Sequence, residues 1–169
     1  MAGVPALRLD RVRSSAHLGE PIAYRTGVHE LGYYDGERWT ERPEAFLERG
    51  LERAFFQEQG VTRVVGGSSE TLSVELVSFE EVRGAKPVAR IEVGITLHDE
   101  RSSHLEQTLR VERPIGTTGT DEATRAVAAL SDAMSEVIDR IAQTVTERLR
   151  VLAAAEPERP SSPSEAAAA

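Results

Sequence analysis

Several groups of residues have types and spacings that bear on chemistry. His98, Asp99, Glu100 and His104 place imidazole and carboxylate donors close together in the chain, and these are donor types a divalent ion accepts. Their spacing matches no strong ligand pattern, and all four fall at or beside a link between two strands, so the group reads as a polar turn. His17 and His29 lie in polar connections without a neighbouring ligand. Gly116-Thr117-Thr118-Gly119-Thr120 precedes a helix, where free N–H groups attract phosphate. No Lys follows the second glycine, so this is not a P-loop. Asp121 and Glu122 already complement the helix dipole and would repel an anion; Thr118 or Thr120 reads as the cap. No serine sits in a G-x-S-x-G elbow. The paired carboxylates Glu80-Glu81 and Asp99-Glu100 fall on strand ends and turns, with no sign of surroundings that would perturb them. No catalytic, cofactor-binding or metal-binding residue is assigned from these groups.

Tyr24 to Pro43 is the more informative stretch. It holds all three tyrosines and the single tryptophan of a chain that is 5% aromatic. Tyr and Trp combine an apolar body with a polar tip, which suits a place where packing and a hydrogen bond are both needed. Asp35-Gly36 reads as a tight turn, which would bring Arg38 near the Tyr33 ring. Two readings stand: a loop pinned to the core by its aromatics, or a recognition surface.

The elements around this stretch follow from periodicity. Leu7 and Leu9 alternate with Arg8 and Asp10, the period of a half-buried strand, and 22–26 is a second strand. A helix begins at Pro43, whose missing N–H is not needed in a first turn. It presents Phe46, Leu47, Leu51, Ala54 and Phe55 at helical spacing and ends at Gly60. Gly50 within it points to a close approach, assigned here to the sheet. A short strand at 61–65 completes a strand–helix–strand pattern of the kind that joins parallel strands. Three longer strands, at about 70–82, 87–98 and 104–113, form an antiparallel meander, with a bulge near Leu76 where the apolar phase changes. From Asp121 to about Leu152 an apolar stripe recurs in steps of three and four. A helix of that length spans about 48 Å, so its end is expected to overhang the sheet and offer a surface for self-association.

Composition sets outer limits. A chain of 169 residues favours one domain, placed at residues 1–153, with 154–169, rich in Pro, Ser, Glu and Ala, as a disordered tail. No cysteine is present, which removes disulfides, thiolate metal sites and cysteine nucleophiles. A formal net charge of −8 argues against a nucleic-acid partner and against loose adhesion to anionic lipid. No apolar run has the length of a membrane span, and no signal peptide is recognisable.

The run Tyr24-Arg25, Glu30-Leu31-Gly32-Tyr33-Tyr34, Arg38-Trp39 and Pro43 resembles the signature of the ABC-type transport auxiliary lipoprotein family, whose best-known branch is the paraquat-inducible lipoprotein. The order of later elements, with Ser78-Phe79-Glu80 ending a strand, is also similar, and the resemblance covers about residues 4–152. It implies an α/β fold: a mixed sheet with the three-strand meander, one crossover helix and one long C-terminal helix, similar to the N-terminal domain of TolB. It further implies a non-catalytic accessory, without cofactor or metal, of systems in which mammalian-cell-entry (MCE) domain proteins carry phospholipid or other hydrophobic cargo between two membranes. Such family members face the periplasm from an outer-membrane lipid anchor. The lipobox cysteine, the signal peptide and the family's aromatic first strand are not found here, so the chain reads as a truncated soluble domain or as a paralogue without the anchor. On this resemblance the expected partner is an MCE-domain protein, with self-association as a further expectation. The expected contact residues are Tyr24, Arg25, Tyr33, Tyr34, Arg38 and Trp39. A lipid-binding carrier and, behind it, a small hydrolase are the alternatives.

Overall fold

The computed structural model describes residues 4–118 and 121–155. In chain order the elements are β1 (Ala6–Leu9), β2 (Arg13–Ser14), β3 (Pro21–Arg25), β4 (Leu31–Arg38), α1 (Pro43–Arg53), β5 (Thr62–Arg63), β6 (Thr71–Val82), β7 (Val88–His98), β8 (Ser103–Pro114) and α2 (Glu122–Ala155). The eight strands form one mixed sheet whose spine is β6. Along one edge β6 takes three short parallel strands in succession. β1 pairs at Thr71 and Leu72, β2 at Glu75 and Leu76, and β3 from Glu80 to Val82. Residues 6–25 are thus one interrupted strand laid along β6. Its other edge starts the antiparallel meander to β7 and β8. β5 lies outside β1 and β4 outside β3.

The mixed sheet, the meander and the long helix match the fold the sequence predicts. The predicted bulge is also present, as a register shift between Leu76 and Ser78. In β7, Ala89, Ile91, Val93, Ile95 and Leu97 are buried, as their alternation requires. On the opposite face Arg90 meets Glu112 and Arg110 meets Glu92 across β7 and β8.

Three expectations about the elements need correction. The hairpin does not turn at Asp35-Gly36. Residues 31–38 are one strand, and the reversal lies before it, where the Thr26 N–H donates to the Glu30 carbonyl at 3.1 Å. Gly36, at φ 73°, serves a bulge instead: between Pro21 and Ala23 the partner strand advances from Arg38 to Tyr33. The crossover does join parallel strands, β3 and β5, which stand in one sheet with β6 and β1 between them; β4, antiparallel to β3, intervenes in the chain before the helix. Gly50 approaches α2 and not the sheet: a Cβ there would stand 2.3 Å from Ile138 Cδ1. Finally, α2 barely overhangs. It is buried at intervals from Ala123 to Leu149, Leu152 still packs on the core, and only Val151 is an exposed large apolar residue near its end.

Local chemistry explains the ends of the helices. The Asp121 carboxylate accepts from the Thr124 N–H at 3.0 Å and its hydroxyl at 2.8 Å, so Asp121 and not Thr118 caps α2. Thr120 lies outside the described residues, as do 156–169 of the tail proposed at 154–169; its first two residues, 154 and 155, instead end α2. α1 continues into one π-helical turn over Ala54–Glu58 and stops at Gly60, φ 68°. The Val12 N–H donates to Glu48 Oε2 at 2.7 Å, fastening α1 to the gap between β1 and β2.

Candidate functional site

Strand pairing decides where the aromatic stretch ends up. Tyr24 is level with Glu81 on one side and Gly32 on the other, while Ala23 is level with Glu80 and Tyr33. Side chains alternate between faces, so Tyr24, Tyr34 and Glu81 share the core-side face with Phe79, and Arg25, Tyr33 and Glu80 share the opposite one. The six predicted contact residues therefore do not form a single surface.

On the core-side face the Tyr24 and Tyr34 rings meet edge to face, centroids 5.5 Å apart. The Arg83 guanidinium lies 3.6 Å from the Tyr24 centroid and 5.1 Å from that of Tyr34. The cation over the ring is thus Arg83; the expected Arg38–Tyr33 contact is not made. Tyr24 also packs against Gly32, where a Cβ would fall 2.5 Å from the ring, so only glycine leaves room. The Tyr34 hydroxyl donates to Glu81 Oε2, and Arg83 Nε donates to the same oxygen at 3.4 Å. Burial, and then the bond to Glu81, push the Tyr34 phenol up to about 12. On the opposite face Arg25 grips Glu80 with two bonds, Nε at 2.7 Å and a terminal nitrogen at 3.2 Å. Tyr33 is 41% exposed, its hydroxyl donating to the His17 carbonyl at 2.8 Å.

Glu80 and Glu81 are 2% and 1% exposed. Their reading as ordinary strand-end carboxylates is therefore corrected: each is buried and held by an arginine. The sequence gives one signal for this, Arg83 two positions after Glu81, but Arg25 and Tyr34 come from far along the chain.

Beyond the end of β4 the aromatic stretch borders a cleft of about 470 Å³. Trp39 stacks on Phe79, centroids 5.1 Å apart, and its main-chain N–H donates to the Glu20 carbonyl at 2.7 Å. Pro43 and Phe46 of α1 form one wall, and Val127 and Met134 of α2 another. Phe46, expected in the core, is 41% exposed at this cleft. Arg38 and an Arg49–Glu41 pair stand at the cleft with exposed guanidinium groups. A larger, open hollow of about 830 Å³ at Asp10–Ser14, Ser73 and Val74 marks the interruption between β1 and β2 and lies apart from the aromatic stretch.

The histidine group of the β7–β8 turn is split. His98 Nε2 lies 3.3 Å from Ser73 Oγ, Glu100 is exposed, and Asp99 and His104 come together. Among the described residues no helix is long and apolar enough to cross a membrane.

A family model described as ABC-type transport auxiliary lipoprotein component matches residues 2–142. Solved structures share the fold. Protein XCC0632 from Xanthomonas campestris, of family DUF330, aligns with TM-score 0.76 at 21% identity, covering 87% of this chain and 86% of that one. The hypothetical protein CT253 from Chlamydia trachomatis aligns with TM-score 0.57 at 8% identity, covering 91% and 100%. No curated protein matches the chain.

Proposed function

The chain belongs to the ABC-type transport auxiliary lipoprotein component family, and from that premise we propose that it is a non-catalytic accessory of an MCE-type lipid transport system. It docks in the periplasm onto the MCE-domain protein that carries phospholipid or other hydrophobic cargo between the inner and outer membranes. In this reading the native protein is held at the outer membrane by an N-terminal lipid. The observation that carries the docking step is the cleft between the β4–α1 junction and α2. Its walls are apolar and aromatic, its edge carries arginine, and Phe46 stands in it well exposed. Aromatic anchors beside arginine are what energetically dominant contact patches are made of. The occupant is an apolar segment of the MCE-domain protein. Of the six expected contact residues, Arg38 and Trp39 face that occupant; Tyr24 and Tyr34 pack on the core-side face of the sheet, and Arg25 and Tyr33 lie on its opposite face.

Phe46→Glu tests this, because an exposed side chain can change without loss of the fold. Biolayer interferometry against the MCE-domain protein should show affinity lowered at least about tenfold, as loss of a dominant contact implies, at an unchanged melting temperature. Wild-type affinity in this variant would remove the cleft from the docking surface. A single acyl chain is the competing occupant, since the cleft volume lies in the small-ligand range of about 300–1,000 Å³. Solvent extraction and mass spectrometry of the purified protein would then find stoichiometric lipid, absent in Phe46→Glu.

A further inference from the structure

The register of the meander brings three side chains together that are far apart in the sequence. Thr71 pairs with His98 and His98 with Ser103. Glu70, just before β6, therefore arrives beside Asp99 and His104, which flank the β7–β8 turn. His104 Nε2 lies 3.0 Å from Asp99 Oδ2 and 3.5 Å from Glu70 Oε1, and the three ligand atoms all lie within 4.8 Å of one another. We infer that Glu70, Asp99 and His104 form a binding site for one zinc-class divalent ion.

The geometry carries this inference. Ligands at about 2.0–2.2 Å around a tetrahedral zinc stand about 3.4 Å from each other. Two of the three separations here already bracket that value, so only a small side-chain movement closes the third. One imidazole nitrogen with two carboxylate oxygens is a donor set suited to zinc, and less so to magnesium or calcium, which prefer oxygen alone. Asp99 is fixed in orientation: its Oδ1 accepts from the N–H groups of Arg101 at 2.6 Å and Ser102 at 2.7 Å, leaving Oδ2 toward the imidazole. The three side chains are between 18% and 36% exposed, which leaves a path for the ion and a position for water. Arg148 donates to the His104 carbonyl at 3.1 Å and so braces the strand from α2.

The experiment uses the full chain without a histidine tag, stripped with EDTA and titrated with zinc chloride. Native mass spectrometry should find one zinc per chain, and the melting temperature should rise with zinc. Glu70→Gln and His104→Ala should each weaken zinc binding at least about tenfold, while His98→Ala leaves it unchanged. Melting in EDTA checks that each variant folds; Asp99→Asn takes the place of one that does not. A chain that retains no zinc, or a folded His104→Ala that binds it as tightly as the wild type, would overturn the site and leave His104 as a simple ion-pair partner of the two carboxylates.

Discussion

Glu80 and Glu81 are neighbours on one strand and point to opposite faces, yet both are almost fully buried. A buried carboxylate is tolerated only where donors replace its water, and the two faces solve this differently. Glu80 receives both arms of Arg25, whereas Glu81 shares Tyr34 and Arg83. Breaking either set leaves charge without a partner. Glu81→Ala is therefore expected to cost about 2–3 kcal/mol in urea unfolding, below the range for a fully buried pair because Arg83 retains some solvent. The same geometry predicts a pH effect. In the fold the Tyr34 phenol is raised from 10.0 to about 12, by burial first and by Glu81 second. A raised value favours the neutral form. The stabilisation is thus complete below pH 10 and is lost as the pH climbs from 10 toward 12. Ultraviolet difference titration should show a late phenol ionisation near pH 12, and Tyr34→Phe should remove that step.

At the scale of elements, the contact of α1 with α2 turns on Gly50. Alanine there would favour the helix by about 1 kcal/mol, but its Cβ would drive into Ile138, which is 6% exposed and has little room to move. Gly50→Ala should destabilise by about 1 kcal/mol net, an overpacking cost larger than the helix gain. Combining it with Ile138→Val, which removes the obstructing Cδ1, should recover that loss as a coupling energy of about 1 kcal/mol or more in a double-mutant cycle. Strictly additive variants would mean the backbone shifts instead. These elements also show what the sequence could and could not disclose. The meander and α2 were legible because their apolar residues keep one period over many positions, and even the bulge at Leu76 left a phase change. The β3–β4 hairpin was not. Gly36 carries the positive φ of a turn residue, and nothing local distinguishes a turn from a bulge inside a continuing strand. β2, two residues long, gives no period at all. The pairing of Glu80 with Arg25 and of Glu70 with His104 depends on strand register, which no single segment encodes. The resemblance in the aromatic run supplied the family, though not the division of its residues between the two faces.

Among the described residues two surfaces stand out at the scale of the whole molecule, and they differ in kind. The outer face of β7 and β8 is charged, but both of its arginines are already paired: Arg90 with Glu112 at 2.7 Å and Arg110 with Glu92 at 2.7 Å. Such pairs have little left to attract a ligand, and a net charge of −8 gives only a diffuse field around them. The cleft beside α1 is apolar and aromatic, with one exposed phenylalanine. Salt separates these surfaces, because mobile ions screen exposed charges over about 8–10 Å at ordinary ionic strength and leave apolar burial almost untouched. If docking to the MCE-domain protein uses the cleft, raising sodium chloride from about 0.1 M to about 0.5 M should change the equilibrium affinity less than about threefold, while Phe46→Glu weakens it at both concentrations. Affinity that collapses with salt and ignores Phe46 would transfer the docking surface to the charged face. Arg90→Glu should then disrupt binding, and a compensating charge on the partner should restore it.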